Sequence, residues 1–288
     1  MFESKREEQR PTIRVYRADN RFEDSALSAF AHLAQEIWRH RAHVSLLFTR
    51  DFRAAYRGSA LGVFWNFVLP LLPVSVYVFL SVAGVFPAIE HLPRAVYVSF
   101  NVTLWLLFAG LVEQPIRVVK SRNSEAMKTS LPISVSIVSS MAALSFETLL
   151  RLLLVAGLVL AYQVPLALTA PLTVFAVLIG MVFSLSIGLM LAILNIVMPD
   201  VQSIVTVVMR YGIFVSGVIF PLPAIESLRW LEVLNPFALI IQVAREQAFS
   251  GYLTHPVALA AFTIATILLT LLAARVFYLM EYRIRGIV

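Results

Sequence analysis

Residues 172–198 read LTVFAVLIGMVFSLSIGLMLAILNIVM and contain no charged side chain. A stretch of about 20 apolar residues is long enough to cross the hydrocarbon core of a bilayer as a helix. The apolar residues run on without the strict alternation that a strand of a membrane barrel shows. The stretch therefore predicts a transmembrane helix.

Five further apolar stretches of comparable length occupy residues 61–84, 96–118, 135–162, 201–220 and 257–280. Of the 288 residues, 59% are hydrophobic and 14% are charged, whereas an ordinary soluble domain has about 25% charged residues. Sheet edges and loops cannot face lipid, so long apolar stretches must cross a membrane as helices. We therefore predict an all-α membrane protein with six transmembrane helices. The chain has no cysteine, which excludes disulfides and thiolate metal sites.

The distribution of Lys and Arg predicts the orientation of these helices. With the N-terminus inside, the inner segments hold 17 of the 23 basic residues and the outer segments hold only Arg94, Arg229 and Arg245. Basic residues concentrate on the cytoplasmic side of a membrane. Both termini are therefore predicted to be cytoplasmic, in a multi-pass protein of a bacterial inner membrane. The net charge of +6 reflects this orientation and contact with anionic lipid heads, and not nucleic-acid binding.

Three segments differ from the spans. Residues 1–24 carry six basic and six acidic side chains and are predicted to be a cytoplasmic tail. Residues 25–57 form an amphipathic helix on the inner membrane surface, followed by an elbow, because apolar residues recur there at helical spacing. This helix could be a plain anchor or a docking element. Within the six-span domain, residues 58–288, the proline-punctuated residues 221–252 are predicted to be re-entrant helices on the outer side.

No motif of an enzyme is present. The sequence contains no Gly-Lys pair, so it has no phosphate-binding loop, and it has neither a Gly-x-Ser-x-Gly nor a His-Glu-x-x-His motif. The five histidines lack co-ligands at metal-binding spacing, so no metal site is predicted.

Charged residues within the predicted spans are costly in hydrocarbon, so they must face protein or water. Glu147 and Arg151 share one helix face, and Arg210 lies in the predicted fifth span. They form either a structural cluster or part of a polar translocation path. Glu147 is the only acidic residue expected to lie deep, which argues against a proton relay. Several aromatic residues in the spans belong either to interfacial belts or to a sugar-stacking pore lining: Trp65, Phe67, Tyr77, Trp105 and Phe108.

The segment RDFRAAYRGSALGVFW at residues 50–65 resembles the start of the first span in ABC-2 permeases that export polysaccharides such as O-antigen, capsule and teichoic acid. Residues 122–132, the Pro199-Asp200-Val201 turn and the sequence Leu234-Asn235-Pro236-Phe237 resemble later segments of that family in the same order. Pro199 stands where the family commonly has an arginine. The resemblance extends from about residue 50 to the C-terminus.

The resemblance implies a homodimer with a channel between two copies, each copy resting on a separate ATP-hydrolysing subunit. ATP and Mg²⁺ would bind to that ABC nucleotide-binding subunit, and this chain would hold no cofactor. The substrate would be a polysaccharide on an undecaprenyl-type lipid, and membrane lipid would be a further partner. Two alternatives remain, namely an ABC-2 exporter of a drug or other small molecule, and a membrane scaffold that transports nothing.

Two sets of cytoplasmic residues are predicted to serve this function. The first set contacts the ATPase subunit: Arg50, Asp51, Ser124, Glu125, Lys128, Leu131 and Pro132. The second set meets lipid heads or the substrate as it enters the channel: Arg53, Tyr56, Arg57 and Gly58.

Overall fold

The computed structural model describes residues 25–54, 64–85, 92–125 and 132–286, and these residues are helical with no strand among them. The α-helices are α1 Ala26–Arg39, α2 Arg41–Ala54, α3 Trp65–Val82, α4 Arg94–Glu125, α5 Ile133–Ala161, α6 Thr173–Val197, α7 Asp200–Tyr211, α8 Leu231–Leu234, α9 Pro236–Arg245 and α10 Pro256–Gly286. The predicted all-α class is confirmed.

In the described part of the chain, four helices are long and apolar enough to cross a bilayer. They comprise Arg94–Ser121 in α4, all of α5, Ala170–Val197 including α6, and Pro256–Glu281 in α10. They correspond to the predicted second, third, fourth and sixth spans. The other two predicted spans do not reach this length and apolarity, so the count of six is not confirmed.

Helix α4 is the centre of the molecule. Of its most apolar stretch, 89% is buried inside the protein, against 22% to 33% for the other three long helices. α5, α6 and α10 expose large apolar side chains on their outward faces, among them Leu153, Phe175 and Leu268. Exposed apolar faces around a buried helix are what a bundle surrounded by lipid requires.

A ladder of small residues on α6 allows that helix to approach α4 closely. Ala176, Gly180, Ser184, Gly188 and Ala192 follow one another at every fourth position and are buried. A Cβ added to Gly188 would lie 2.6 Å from the Leu111 carbonyl oxygen, and one added to Gly180 would lie 2.5 Å from the Phe108 ring. Small residues at this spacing bring membrane helices into backbone contact.

The predicted fifth span, residues 201–220, is not one continuous long helix. α7 has 12 residues and continues as a 3₁₀-helix over Gly212–Val215. Gly212 lies against the Trp105 ring, where a Cβ would come within 2.9 Å of the indole, and Gly217 adopts a φ of +63°. The chain therefore leaves the helical path at its glycines, although the residues around them remain apolar.

The predicted first span is represented by α3, which has 18 residues. Within the described residues, Leu71–Val82 is an apolar helical segment that is shorter than a full crossing, and residues 61–63 of the predicted span lie outside the described part of the chain. The helix packs against α4 and α5.

The predicted amphipathic helix is two helices. α1 ends at His40, whose φ of −101° and ψ of 17° leave the helical region, and α2 begins at the next residue. α1 packs against α10 and the start of α5, while α2 packs along α5, where the rings of Phe52 and Phe146 meet edge to face.

Residues 212–255 form a chain of short helical elements beside α4 and α6. Asn235 caps α9 by accepting hydrogen bonds from the backbone N–H groups of Phe237 (3.0 Å) and Ala238 (3.4 Å). Its side-chain amide donates to the Val215 carbonyl and the Ser216 hydroxyl. An Asn cap followed by proline at the first helical position is a strong helix start, which explains the Asn235-Pro236 pair in the sequence.

Candidate functional site

Glu147 and Arg151 form an ion pair in the middle of α5. Arg151 Nη2 lies 2.9 Å from Glu147 Oε2. The Arg151 side chain is only 6% exposed, whereas the Glu147 side chain is 44% exposed. The pair therefore joins a buried cation to a carboxylate that reaches the surface of the single chain.

Arg210 does not belong to this pair. It lies in the last turn of α7 and its side chain is exposed. Among the described residues, no ion pair joins it to Glu147. The sequence placed all three charges within spans, but the structure brings only two of them together.

A second polar group, which we call the α9 cluster, joins α9 to α4: Tyr97, Asn101, Gln242, Arg245 and Glu246. Arg245 Nη1 donates to Asn101 Oδ1 at 3.4 Å, and its guanidinium carbon lies 4.6 Å from the centre of the Tyr97 ring. Tyr97 donates to the Gly217 carbonyl at 2.9 Å, and Asn101 donates to that of Val218 at 3.1 Å. The cluster thus fixes the chain after α7 to the start of α4.

Glu246 fixes the other side of the α9 cluster. It is 7% exposed and accepts hydrogen bonds from Gln242 Nε2 and the Thr254 backbone N–H, each at 2.9 Å, and from the Thr254 hydroxyl. It lies at the start of a π-helical turn, Glu246–Ser250. Such turns are rare and frequent at functional sites. Here the turn carries the chain from α9 into the loop before α10.

A cavity of about 80 Å³ lies beside the α9 cluster, and charged and polar side chains line part of it: Tyr97, Glu232, Gln242 and Arg245. Pockets for small molecules usually measure about 300–1,000 Å³. A polar cavity of this size holds a few water molecules. It is therefore not a binding pocket for a sugar chain.

That Glu147 is the only acidic residue deep in the membrane stays a prediction, because burial within the protein does not measure depth in a bilayer. Glu246 and Glu281 are 7% and 2% exposed, so both are more buried than Glu147. The sequence placed Glu246 in a polar outer segment and Glu281 at the very end of an apolar stretch. Glu281 accepts hydrogen bonds from the start of α5, which is distant in sequence, whereas Glu246 accepts them from Gln242 and Thr254, four and eight positions away. The one local signal is the spacing of Gln242 and Glu246, four residues apart on α9.

Two of the aromatic residues proposed for sugar stacking lie in the protein core. Trp105 is 4% exposed and meets Phe237 edge to face at 5.6 Å, and Phe108 is fully buried against Gly180. Their rings are covered by protein in the single chain, which favours a packing role. Trp65 and Tyr77 are half-buried on α3, and for them, as for Phe67, the stacking role stays a prediction.

Of the residues predicted to contact the ATPase subunit, the described ones lie on α2, at the end of α4 and immediately before α5. Arg50 is exposed on α2, and Asp51 and Arg53 follow it in the same helix. Ser124 and Glu125 end α4, while Pro132 is buried immediately before α5. Five predicted residues lie outside the described part of the chain: Tyr56, Arg57, Gly58, Lys128 and Leu131.

Within the described ranges, no group of three or more His, Asp or Glu side chains could hold a metal ion. The site therefore consists of the Glu147–Arg151 pair, the α9 cluster and the helix ends around Pro132. The contacts of these parts join helices and loops to one another.

Comparison with known proteins relates this arrangement to transporters. The chain is 31% identical over 209 residues to the O-antigen export system permease protein RfbA of Myxococcus xanthus. The aligned residues cover 71% of this chain and 79% of that protein. It is also 29% identical over 94 residues to the polysialic acid transport protein KpsM of Escherichia coli, and this alignment covers 31% of this chain and 36% of that protein. Residues 42–249 match the ABC-2 type transporter family. The match covers well over half of the sequence, and the chain therefore belongs to the ABC-2 type transporter family.

Proposed function

We propose that this chain is the transmembrane subunit of an ATP-binding-cassette exporter that moves a lipid-linked polysaccharide out of the cytoplasm. The observation that carries the proposal is the similarity to an O-antigen export permease over 79% of that protein's length. A relative named for polysialic acid transport supports the same substrate class. ATP hydrolysis is assigned to a separate subunit, because this sequence has no phosphate-binding loop.

We assign the chain six crossings of a bacterial inner membrane, with both termini in the cytoplasm, and the contacts of α4 with the segment after α6 support this assignment. Lys120 Nζ donates to Gln202 at the start of α7 (2.8 Å), while Asn101 donates to the Val218 carbonyl. Lys120 and Asn101 lie about 28 Å apart along α4 at 1.5 Å per residue, nearly the thickness of the hydrocarbon core. Residues 202–218 thus carry the chain across as a short helix with a 3₁₀ end, and α3 makes the first crossing.

Residues 221–252 then return on the outer side without a crossing of their own. The Asn235 cap and the α9 cluster satisfy the polar groups of this segment within the protein. Backbone that dips into a membrane without spanning it needs such partners. The segment is therefore assigned as re-entrant.

The translocation path is assigned to the interface between two copies of the chain. The Glu147 side chain is 44% exposed in the single chain, and a carboxylate facing lipid at mid-span is costly. A second copy or an aqueous path against this face of α5 removes that cost. The cavity beside the α9 cluster is too small to be an alternative path.

The ATPase subunit is assigned to the end of the bundle where α4 ends and α5 begins. Arg50 is exposed on α2, and basic residues prevail in the predicted cytoplasmic segments. The ATPase subunit can shift the membrane helices between two arrangements only if it binds one arrangement more tightly than the other.

The test is deletion of the gene for this chain, with readout of surface polysaccharide and of lipid-linked polysaccharide inside the cell. Loss of the surface polymer with accumulation of the lipid-linked form, both restored by the wild-type gene, is the expected result. Intact surface polymer with increased drug susceptibility would point to a small-molecule exporter. Intact polymer and unchanged susceptibility would leave only a scaffold role.

A biochemical test addresses the division of labour. The chain purified alone is expected to hydrolyse no ATP above a detergent blank. Reconstituted with its ABC subunit, it should support ATP-driven movement of lipid-linked polysaccharide into inverted vesicles. ATP hydrolysis by the chain alone would contradict the proposal, provided that a contaminating ATPase is excluded as its source.

A further inference from the structure

The start of α5 lacks a cap of its own. The helix begins at Ile133, and the preceding Pro132 has no side chain that can accept a hydrogen bond from the first turn. The first N–H groups of a helix have no partner within the helix. At a buried helix end these groups need an acceptor from elsewhere.

Glu281 of α10 supplies that acceptor from another helix. Its Oε1 accepts hydrogen bonds from the backbone N–H groups of Ile133 (2.8 Å) and Ser134 (3.2 Å). The side chain is 2% exposed. A carboxylate at a helix N-terminus is favoured both by the N–H donors and by the helix dipole. The contact joins residues that are 148 positions apart in the chain.

α1 joins the same junction. The rings of His32 on α1 and Tyr278 on α10 are stacked with their centres 5.8 Å apart. Ser134 Oγ donates to Glu36 Oε2 on α1 at 3.5 Å. The amphipathic helix, the start of α5 and the end of α10 therefore meet around Glu281.

The position of this junction gives it a consequence for transport. α5 begins directly after residues 124–132, the segment predicted to contact the ATPase subunit. A displacement of that segment moves Ile133 and Ser134, and their hydrogen bonds to Glu281 pass the displacement to α10. Hydrogen bonds to a charged group are roughly twice as strong as those between neutral groups, so a shift of the start of α5 that kept them would require Glu281 to follow.

We propose that Glu281 is a positioning residue that links the ATPase-contacting segment before α5 to the last transmembrane helix. Replacing its carboxylate would then separate ATP hydrolysis from transport. The inference rests on the proposed function, since it assigns the link within an ATP-driven exporter.

The test uses the full complex of this chain with its ABC subunit in liposomes, with ATP hydrolysis and polysaccharide transport measured together. E281A is expected to assemble and hydrolyse ATP while transport per ATP falls by about fivefold or more, the lower end of usual coupling effects. E281Q is expected to retain more transport than E281A, because its amide oxygen still accepts hydrogen bonds from both backbone N–H groups.

A matched variant separates linkage from simple capping. P132S places a local cap before α5, because serine at this position accepts from the helix's own first turn. P132S/E281A should recover the protein level and thermal stability of P132S alone, with transport per ATP still low. Recovery of transport to the level of P132S alone would show that Glu281 only caps α5, and would overturn the inference.

The two proposals fail in different ways. A wild-type complex without ATP-driven polysaccharide transport would overturn the proposed function. A wild-type complex that transports, beside an E281A complex with unchanged transport per ATP, would overturn only the role of Glu281. If E281A alone folds poorly, P132S/E281A and E281Q decide the matter, since both keep an acceptor at the start of α5.

Discussion

At the scale of single residues, the charges in the bundle differ in how they are satisfied. Arg151 is buried and pairs with the Glu147 carboxylate on the same helix. Glu246 and Glu281 instead accept hydrogen bonds from backbone N–H groups of other segments. A buried charge without such partners would cost several kcal/mol. Each of these residues therefore either stabilises the local helix or joins distant parts of the chain.

The Glu147–Arg151 pair gives a prediction about stability. E147Q removes the carboxylate that Arg151 Nη2 contacts at 2.9 Å and should destabilise the protein by about 1–3 kcal/mol. The double variant E147Q/R151M replaces the cation with an apolar side chain of similar length and should recover much of the loss. Protein level and melting temperature in detergent measure both effects.

The Glu113–Arg117 pair on α4 is a control for this prediction. It has the same spacing, but its Arg117 side chain is 53% exposed, and exposed pairs contribute about 0–1 kcal/mol. E113Q should therefore change the melting temperature little. Equal stability losses in E147Q and E113Q would contradict the structural role of the embedded pair. Additive loss of export at unchanged protein level would assign Glu147 and Arg151 to the polar path instead.

At the scale of elements, the apolar stretches allowed four long helices to be predicted, because length and lack of charge are local properties. The interruption of the fifth stretch could not be predicted in the same way. α7 ends where Gly212 accommodates the Trp105 ring of α4, and that contact is not visible in residues 201–220 alone. Similarly, the burial of Glu281 depends on Ile133, which is remote in sequence.

The close packing of α4 and α6 gives a second prediction. A Cβ added at Gly188 would lie 2.6 Å from the Leu111 carbonyl oxygen and 2.8 Å from that of Val112. Backbone atoms cannot swing away as a side chain can, so G188A should force the helices apart and cost about 1–3 kcal/mol. The melting temperature of the purified protein in detergent measures this loss.

Gly157 on α5 is a matched control for G188A. Nothing lies within 4 Å of the Cβ that alanine would add there. Alanine is favoured over glycine in a helix by about 1 kcal/mol, so G157A should leave the melting temperature unchanged or raise it slightly. A G188A variant as stable as G157A would show that α4 and α6 do not approach as closely as described.

At the scale of the whole molecule, the described residues make one bundle around α4 with apolar outer faces, and the half-exposed Glu147 side chain lies in the middle of α5. The cavity beside the α9 cluster, about 80 Å³, has room for only a few water molecules. Under the proposed function, the polymer passes along the face of α5 that carries Glu147, where a second copy would complete the path.

The orientation of the bundle gives the last prediction. The chain has no cysteine, so a single introduced thiol reports its own position. Leu168, before α6, is fully exposed and Met198, after α6, is 55% exposed. Because α6 is long enough to cross a bilayer and basic residues mark the cytoplasmic side, L168C should react with an impermeant maleimide in spheroplasts, whereas M198C should react only after permeabilisation. The reverse pattern would place the termini outside, and labelling of both thiols from the same side would mean that α6 does not cross the membrane.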